Sequence, residues 1–187
     1  MKKVFLQNEI WILTFGGGFQ RANIYREQGA KKVSEKGRLV FRNKLRAYIE
    51  DLVTKNYHKV VPGERHIRYI KDLVIHSKTL RIEDQAIPIN FGVAQKLFNL
   101  YLKYQWCLGN IPTPPHFPVD RVIQIELNKQ AKELKISKKE VDPWTQFKNE
   151  TKYQEIIDFA LRIRDTKYKR LSLAQLELEL FDRRNKI

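Results

Sequence analysis

The residues best suited to chemistry in this 187-residue chain lie in one short stretch, Pro115-His116-Phe117-Pro118-Val119-Asp120-Arg121. Here a histidine in a stiff loop comes within a few positions of a carboxylate and an arginine. A carboxylate beside an imidazole fixes its tautomer and charge, as proton transfer near neutral pH requires, and an arginine at a helix start adds to a place that already attracts phosphate. The combination points to a metal-independent phosphodiesterase or ribonuclease in which His116 moves the proton, Asp120 orients the ring and Arg121 stabilises charge on the phosphoryl group. The same residues also admit a structural reading, with Asp120 capping the next helix, His116 bonding a backbone carbonyl and Arg121 solvated.

Other chemistries find no footing. His58, His66 and His76 are not spaced as a helical metal pair and no HExxH carboxylate accompanies them, so neither a metal nor a cofactor is expected. Gly16-Gly17-Gly18 is followed by no Lys-Ser/Thr pair and no GxGxxG spacing, and is read as a flexible turn rather than a phosphate loop. The best match to a PD-(D/E)xK nuclease, Asp120 with Glu126-Leu127-Asn128-Lys129, is misspaced, and no GxSxG or Walker pattern occurs. The Arg-then-His spacing of the all-helical HEPN ribonucleases is also missing.

Charge speaks more loudly. Thirty-six Lys and Arg against 21 Asp and Glu leave a formal net charge of +15, which points to a polyanionic partner, nucleic acid first and an anionic membrane surface second. The most basic window holds Arg21, Arg26, Lys31, Lys32, Lys36, Arg38, Arg42, Lys44 and Arg46, opposed only by Glu27 and Glu35. Arg42 and Arg46 fall beside the apolar face of a predicted helix, which would hold their guanidinium groups in place for phosphates. Lys96, Lys103 and the lysines of 129–139 are expected to assist. No helix is expected to carry the bulky exposed apolar face that membrane insertion needs. A scaffold role is the competing reading: the proline-rich run 112–118 is held extended and would dock a protein partner.

The periodicity predicts an all-α single domain, 1–187, of about six helices. Its centre is a helix at about 91–107, capped by Asn90 and stopped by Gly109, whose apolar positions leave only Gln95, Lys96, Asn99 and Lys103 as a polar strip. Neighbours are predicted at about 38–57, 63–77, 120–135, 151–165 and 172–184, with caps at Asp120 and Ser172 and a short helix opening at Asp142-Pro143-Trp144. Residues 1–20 are left as a strand or short buried helix broken at the glycines, and no strand is expected later. The lone Cys107 is assigned to core packing and a reducing cytoplasm.

Two resemblances accompany this pattern. Gln130 to Val141 resembles the core of a DNA-binding helix-turn-helix, with Ala131, Leu134, Ile136 and Val141 at its small and apolar positions; Lys135 replaces the usual turn glycine, and Asp142-Pro143 would end the recognition helix after one turn. Phe91 to Gly109, with Pro114-Pro115-His116 and Trp144-Thr145, resembles small uncharacterised bacterial proteins, which implies a bacterial or phage-related cytoplasmic origin and imports no activity.

Overall fold

In a computed structural model, which describes residues 1–19, 21–25 and 33–181, the helix caps fall where the polar residues place them. Among these residues there are seven α-helices: α1 (Lys2–Phe19), α2 (Glu35–Asn56), α3 (Gly63–Thr79), α4 (Phe91–Cys107), α5 (Arg121–Glu133), α6 (Thr151–Lys167) and α7 (Leu173–Leu180). Asn90, Asp120 and Ser172 accept bonds from the amides of Val93, Ile123 and Gln175. Ser172 completes a reciprocal capping box with Gln175. The fold is all-α, and its buried apolar side chains from Ile10 to Leu180 form one core.

Helix α4 occupies the centre, with every residue from Phe91 to Asn99 buried. Its first turn seats the Trp144–Gln146 turn, a single 3-10 turn rather than the short helix expected. Gly92 donates its amide to the Phe147 carbonyl at 3.0 Å, and a Cβ on Gly92 would lie 1.7 Å from the Trp144 oxygen. Asn90 adds a side-chain bond to the Thr145 carbonyl at 2.7 Å.

Helix α1 corrects the expectation for residues 1–20, because the helix runs straight through the three glycines to Phe19. Glycine costs a helix about 1 kcal/mol relative to alanine, but here it admits α4: a Cβ on Gly18 would stand 3.1 Å from the Leu97 Cα. Trp11 stacks on Tyr101 at 4.5 Å and donates to Glu50 at 2.7 Å, tying α1 to α4 and α2. The other side of α1 faces solvent with Val4, Phe5, Leu6, Ile12 and Leu13 all exposed, so a bulky exposed apolar face exists after all. No helix among the described residues is long and apolar enough to cross a membrane.

A two-residue ribbon, β1 (Arg81–Ile82) paired antiparallel with β2 (Gln85–Ala86), is a second departure, since no strand is expected there. Glu83 and Asp84 at its tip both have positive φ, and the Glu83 carboxylate bonds the amide and hydroxyl of Ser34, the residue that caps α2. The tight hairpin thus anchors the start of α2.

The helix-turn-helix resemblance fails in a specific way. Helix α5 ends in a Schellman motif, Ile136 N–H to Ala131 carbonyl at 2.8 Å and Lys135 N–H to Lys132 carbonyl at 3.3 Å, with Lys135 at φ 57°. No second helix follows. The chain returns along α5 in extended form, zipped by Asn128, which bonds both backbone groups of Lys139, and by Gln124, which bonds both of Asp142. Cys107, at the last turn of α4, is exposed rather than packed in the core.

Two substitutions test this architecture in opposite directions. Gly92→Ala is expected to cost about 3 kcal/mol or more, because the clash is with backbone and cannot be relieved by a rotamer change. Lys135→Gly is expected to stabilise by roughly 0.5–1 kcal/mol, relief of a left-handed side chain being partly offset by a looser unfolded chain. Urea unfolding of both variants gives the two values.

Candidate functional site

The proline loop that carries His116 does not lie over the surface. Pro114, His116, Phe117, Pro118 and Val119 are buried, and only Pro112 and Pro115 of the four prolines keep partial exposure. The loop is held from α4 by Gln95, whose amide donates to the Val119 carbonyl at 2.8 Å while its oxygen accepts the Val119 N–H at 3.1 Å. A docking strand would need those groups free.

His116 therefore meets the core, where it joins a polar cluster drawn from α3, α4, α6 and the C-terminal end of α2. Its Nδ1 lies 3.1 Å from the hydroxyl of Tyr153 on α6. The same hydroxyl is 3.1 Å from Asn99 Nδ2 on α4 and 3.5 Å from His66 Nε2 on α3, and His66 Nδ1 is 2.7 Å from the hydroxyl of Tyr57, which caps α2. One assignment of protons satisfies the chain: Tyr57 donates to His66 Nδ1, His66 Nε2–H and Asn99 donate to Tyr153, and Tyr153 donates to His116 Nδ1. The imidazoles meet edge to face at 4.9 Å. Gly63, at the start of α3, leaves room for His116, since a Cβ there would approach Nε2 to 2.9 Å. Among the fully buried side-chain atoms of the cluster, Asn99 Oδ1 lacks a partner.

Burial dominates the electrostatics of this cluster. It holds His66 well below the usual histidine range, with the nearby His116 adding to the effect. It lowers His116 to about 4, against a small opposing pull from Asp158. Both rings are neutral at pH 7. Such rings can relay a hydrogen bond through the core, but His116 is spent on Tyr153 and is nearly closed to solvent.

The predicted partners of His116 are engaged elsewhere. Asp120 caps α5 through Ile123 N–H at 3.0 Å and binds Lys96 Nζ at 2.6 Å. Burial pushes the Asp120 carboxyl up, but Lys96 and the α5 amides outweigh it and leave it below its ordinary value. Arg121 points to solvent. No hydrogen bond or ion pair joins His116, Asp120 and Arg121. Of the structural reading, the cap and the exposed arginine are found, while the histidine bonds a tyrosine hydroxyl rather than a carbonyl.

Lys96 and Lys103 also turn inward. Lys96 is 7% exposed, and Lys103 binds both oxygens of buried Glu177 on α7, at 2.7 and 2.8 Å. The polar strip of α4 is thus an internal seam, with Gln95 on the loop, Lys96 on the α5 cap, Asn99 on α6 and Lys103 on α7. Neither lysine presents a free ammonium to a surface partner.

The basic window lies elsewhere. Arg26, Lys31 and Lys32 fall outside the described residues. Arg21 is exposed in a left-handed turn after α1, φ 63°. Arg38, Arg42 and Arg46 follow one another at four-residue spacing along one flank of α2, about 6 Å apart along its axis. Arg38 lies over the Tyr25 ring at 5.0 Å. Arg46 is bound at 3.0 Å to both Glu50 and Asn8 and lies 5.8 Å over Trp11. Lys36 and Lys44 are exposed on the opposite flank. Among the described residues no carboxylate pairs with Lys36, Arg38, Arg42 or Lys44, and no group of histidine, cysteine and carboxylates is arranged to hold a metal ion.

Spacing names His66 and Asn99 for other reasons and gives no sign that Tyr57, His66, Asn99 and Tyr153 meet. The signal that was available is local: Asn99 and Gln95 sit one turn apart on a helix whose other faces are apolar, and a polar pair so placed needs buried partners. No family model matches this chain, and no curated protein or solved structure matches it.

The neutral histidines make stability depend on pH. Their folded values lie below the unfolded 6.5, so the unfolded chain binds more protons as pH falls, and stability present at pH 7 is lost progressively below about 6.5. For His116 alone the drop from 6.5 to about 4 corresponds to roughly 3 kcal/mol. Melting temperature is expected to fall from pH 7 to 4.5 in the wild type. In His116→Gln that fall should be shallower, from a lower starting point. Tyr153→Phe, which strands Asn99 and His116, is expected to cost about 1–3 kcal/mol at pH 7.

Proposed function

We propose that this protein binds nucleic acid through α2, with the half-buried Arg38 and Arg42 as its principal phosphate contacts, Arg21 at their border and the exposed Lys36 and Lys44 on the opposite flank adding charge. One observation carries this reading: from Glu35 to Arg46 a single carboxylate faces five cations, and four of those cations have no ion-pair partner among the described residues. A guanidinium resting on an aromatic ring, as Arg38 rests on Tyr25, loses less freedom on binding a phosphate than one on a solvated chain. Net charge of +15 adds long-range attraction for any polyanion.

Lys96 and Lys103 drop out of this surface, since their ammonium groups are neutralised inside the fold. Arg46 contributes weakly because Glu50 already holds it. The contacts made by Arg38 and Arg42 are phosphate contacts, so binding should be strong in charge and weak in sequence preference. A reducing cytoplasm belongs to the same proposal and suits the unpaired, exposed Cys107.

Counterion release gives a quantitative test. The affinity of the wild type for a mixed-sequence oligonucleotide should fall steeply with salt, and Arg38→Ala with Arg42→Ala should reduce the slope of log K against log salt by about two. Lys96→Met should leave the slope unchanged. Wild-type affinity indifferent to salt, or a double variant with the wild-type slope, would remove the proposal.

A further inference from the structure

The apolar side of α1 has no partner among the described residues. At 100° per residue, Met1, Phe5, Ile12 and Gly16 fall within about 60° of one another, and Leu6 and Leu13 extend the stripe on one side. Val4, Phe5, Ile12 and Leu13 are each more than half exposed. Solvent-facing positions of a helix are ordinarily polar, and a stripe of bulky apolar residues along some four turns marks a contact surface.

What borders the stripe decides its partner. Arg46 reaches across to Asn8 at 3.0 Å and lies over Trp11, so the arginine flank of α2 runs beside the Ile12 edge. Phe19 stacks toward Phe41 near the far end of α1, which brings Arg42 and Arg38 alongside that half of the helix. Lys2 and Lys3 are exposed at the start of the helix. Glu9 is the one carboxylate on this face, and Lys2 lies on the same face two turns earlier. A convex apolar helix rimmed by cations complements a surface that is apolar within and anionic at its rim.

We propose that α1 lies in the headgroup layer of an anionic phospholipid bilayer, with Phe5, Leu6, Ile12 and Leu13 in the acyl boundary and Lys2, Lys3 and Arg42 on lipid phosphates. The helix lies along the membrane and does not cross it. A second copy of this chain suits the face less well, because two molecules of charge +15 repel. Nucleic acid offers phosphates but no apolar layer for the aliphatic side chains. The proposal goes beyond the nucleic-acid reading and does not rest on it.

The test is flotation of the full chain with vesicles of phosphatidylglycerol and phosphatidylcholine, or of phosphatidylcholine alone. Wild type should float with the anionic vesicles only, and less as salt is raised. Phe5→Ser with Ile12→Ser, which leaves charge unchanged at exposed positions, should weaken anionic-vesicle binding by about tenfold or more while keeping melting temperature and oligonucleotide binding. Leu178→Ser, exposed on α7, is the control and should float like wild type. The proposal is overturned if wild type does not float, if the serine variant floats equally well, or if sedimentation velocity shows a wild-type dimer that the serine variant dissolves. Retained oligonucleotide binding in the serine variant separates a failure here from a failure of the arginine flank.

Discussion

The hydroxyl of Tyr153 is the point on which the middle of this protein depends. It receives Asn99 from α4, faces His66 from α3 and meets His116 from the proline loop, while Tyr57 extends the chain to the end of α2. A buried polar group left without a partner costs about 1–3 kcal/mol. Each member therefore fixes the position of the others, and a shift of one helix would strand several polar atoms together. Apolar contacts alone would permit such a shift, because packing tolerates volume-conserving rearrangement while a hydrogen-bonded array does not.

A second device recurs around α4 and α5. Gln95, Gln124 and Asn128 each use both ends of the side-chain amide to bind both backbone groups of a residue in a non-helical segment, namely Val119, Asp142 and Lys139. The long connections 110–120 and 136–142 cannot satisfy their own backbone, and a proline loop least of all. These amides supply the missing partners. This is why a loop that looks in sequence like a surface strand can lie inside the fold. It also explains why the histidine within it serves the core: the loop's burial carries His116 away from Asp120 and Arg121 and onto Tyr153.

Much of the fold is legible in the sequence because it rests on local chemistry. Asn90, Asp120 and Ser172 announce helix starts by their own hydrogen-bonding reach, and the apolar period of 91–107 identifies the central helix with its bounds. What escapes is information held by distant partners. Gly16-Gly17-Gly18 reads as a break until Leu100 and Leu97 are seen to occupy the space that side chains on Gly17 and Gly18 would fill. Lys96 and Lys103 read as surface charge until Asp120 and Glu177 arrive from 24 and 74 residues away. The exposed stripe of α1 is likewise invisible in composition, since apolar residues are ordinarily assigned to the core. For the candidate site, the basic flank of α2 is readable from spacing, and the histidine cluster is not.

On the proposed reading the polar cluster around Tyr153 serves the fold, while nucleic acid meets α2, where Arg38 rests on the Tyr25 ring. Hydrogen exchange of the protein with and without a bound oligonucleotide tests that division most directly. Protection should appear over residues 35–46 and the turn after α1, with residues 112–121 unchanged. Protection centred on 112–121, with α2 unaffected, would contradict it and return the chemistry to His116.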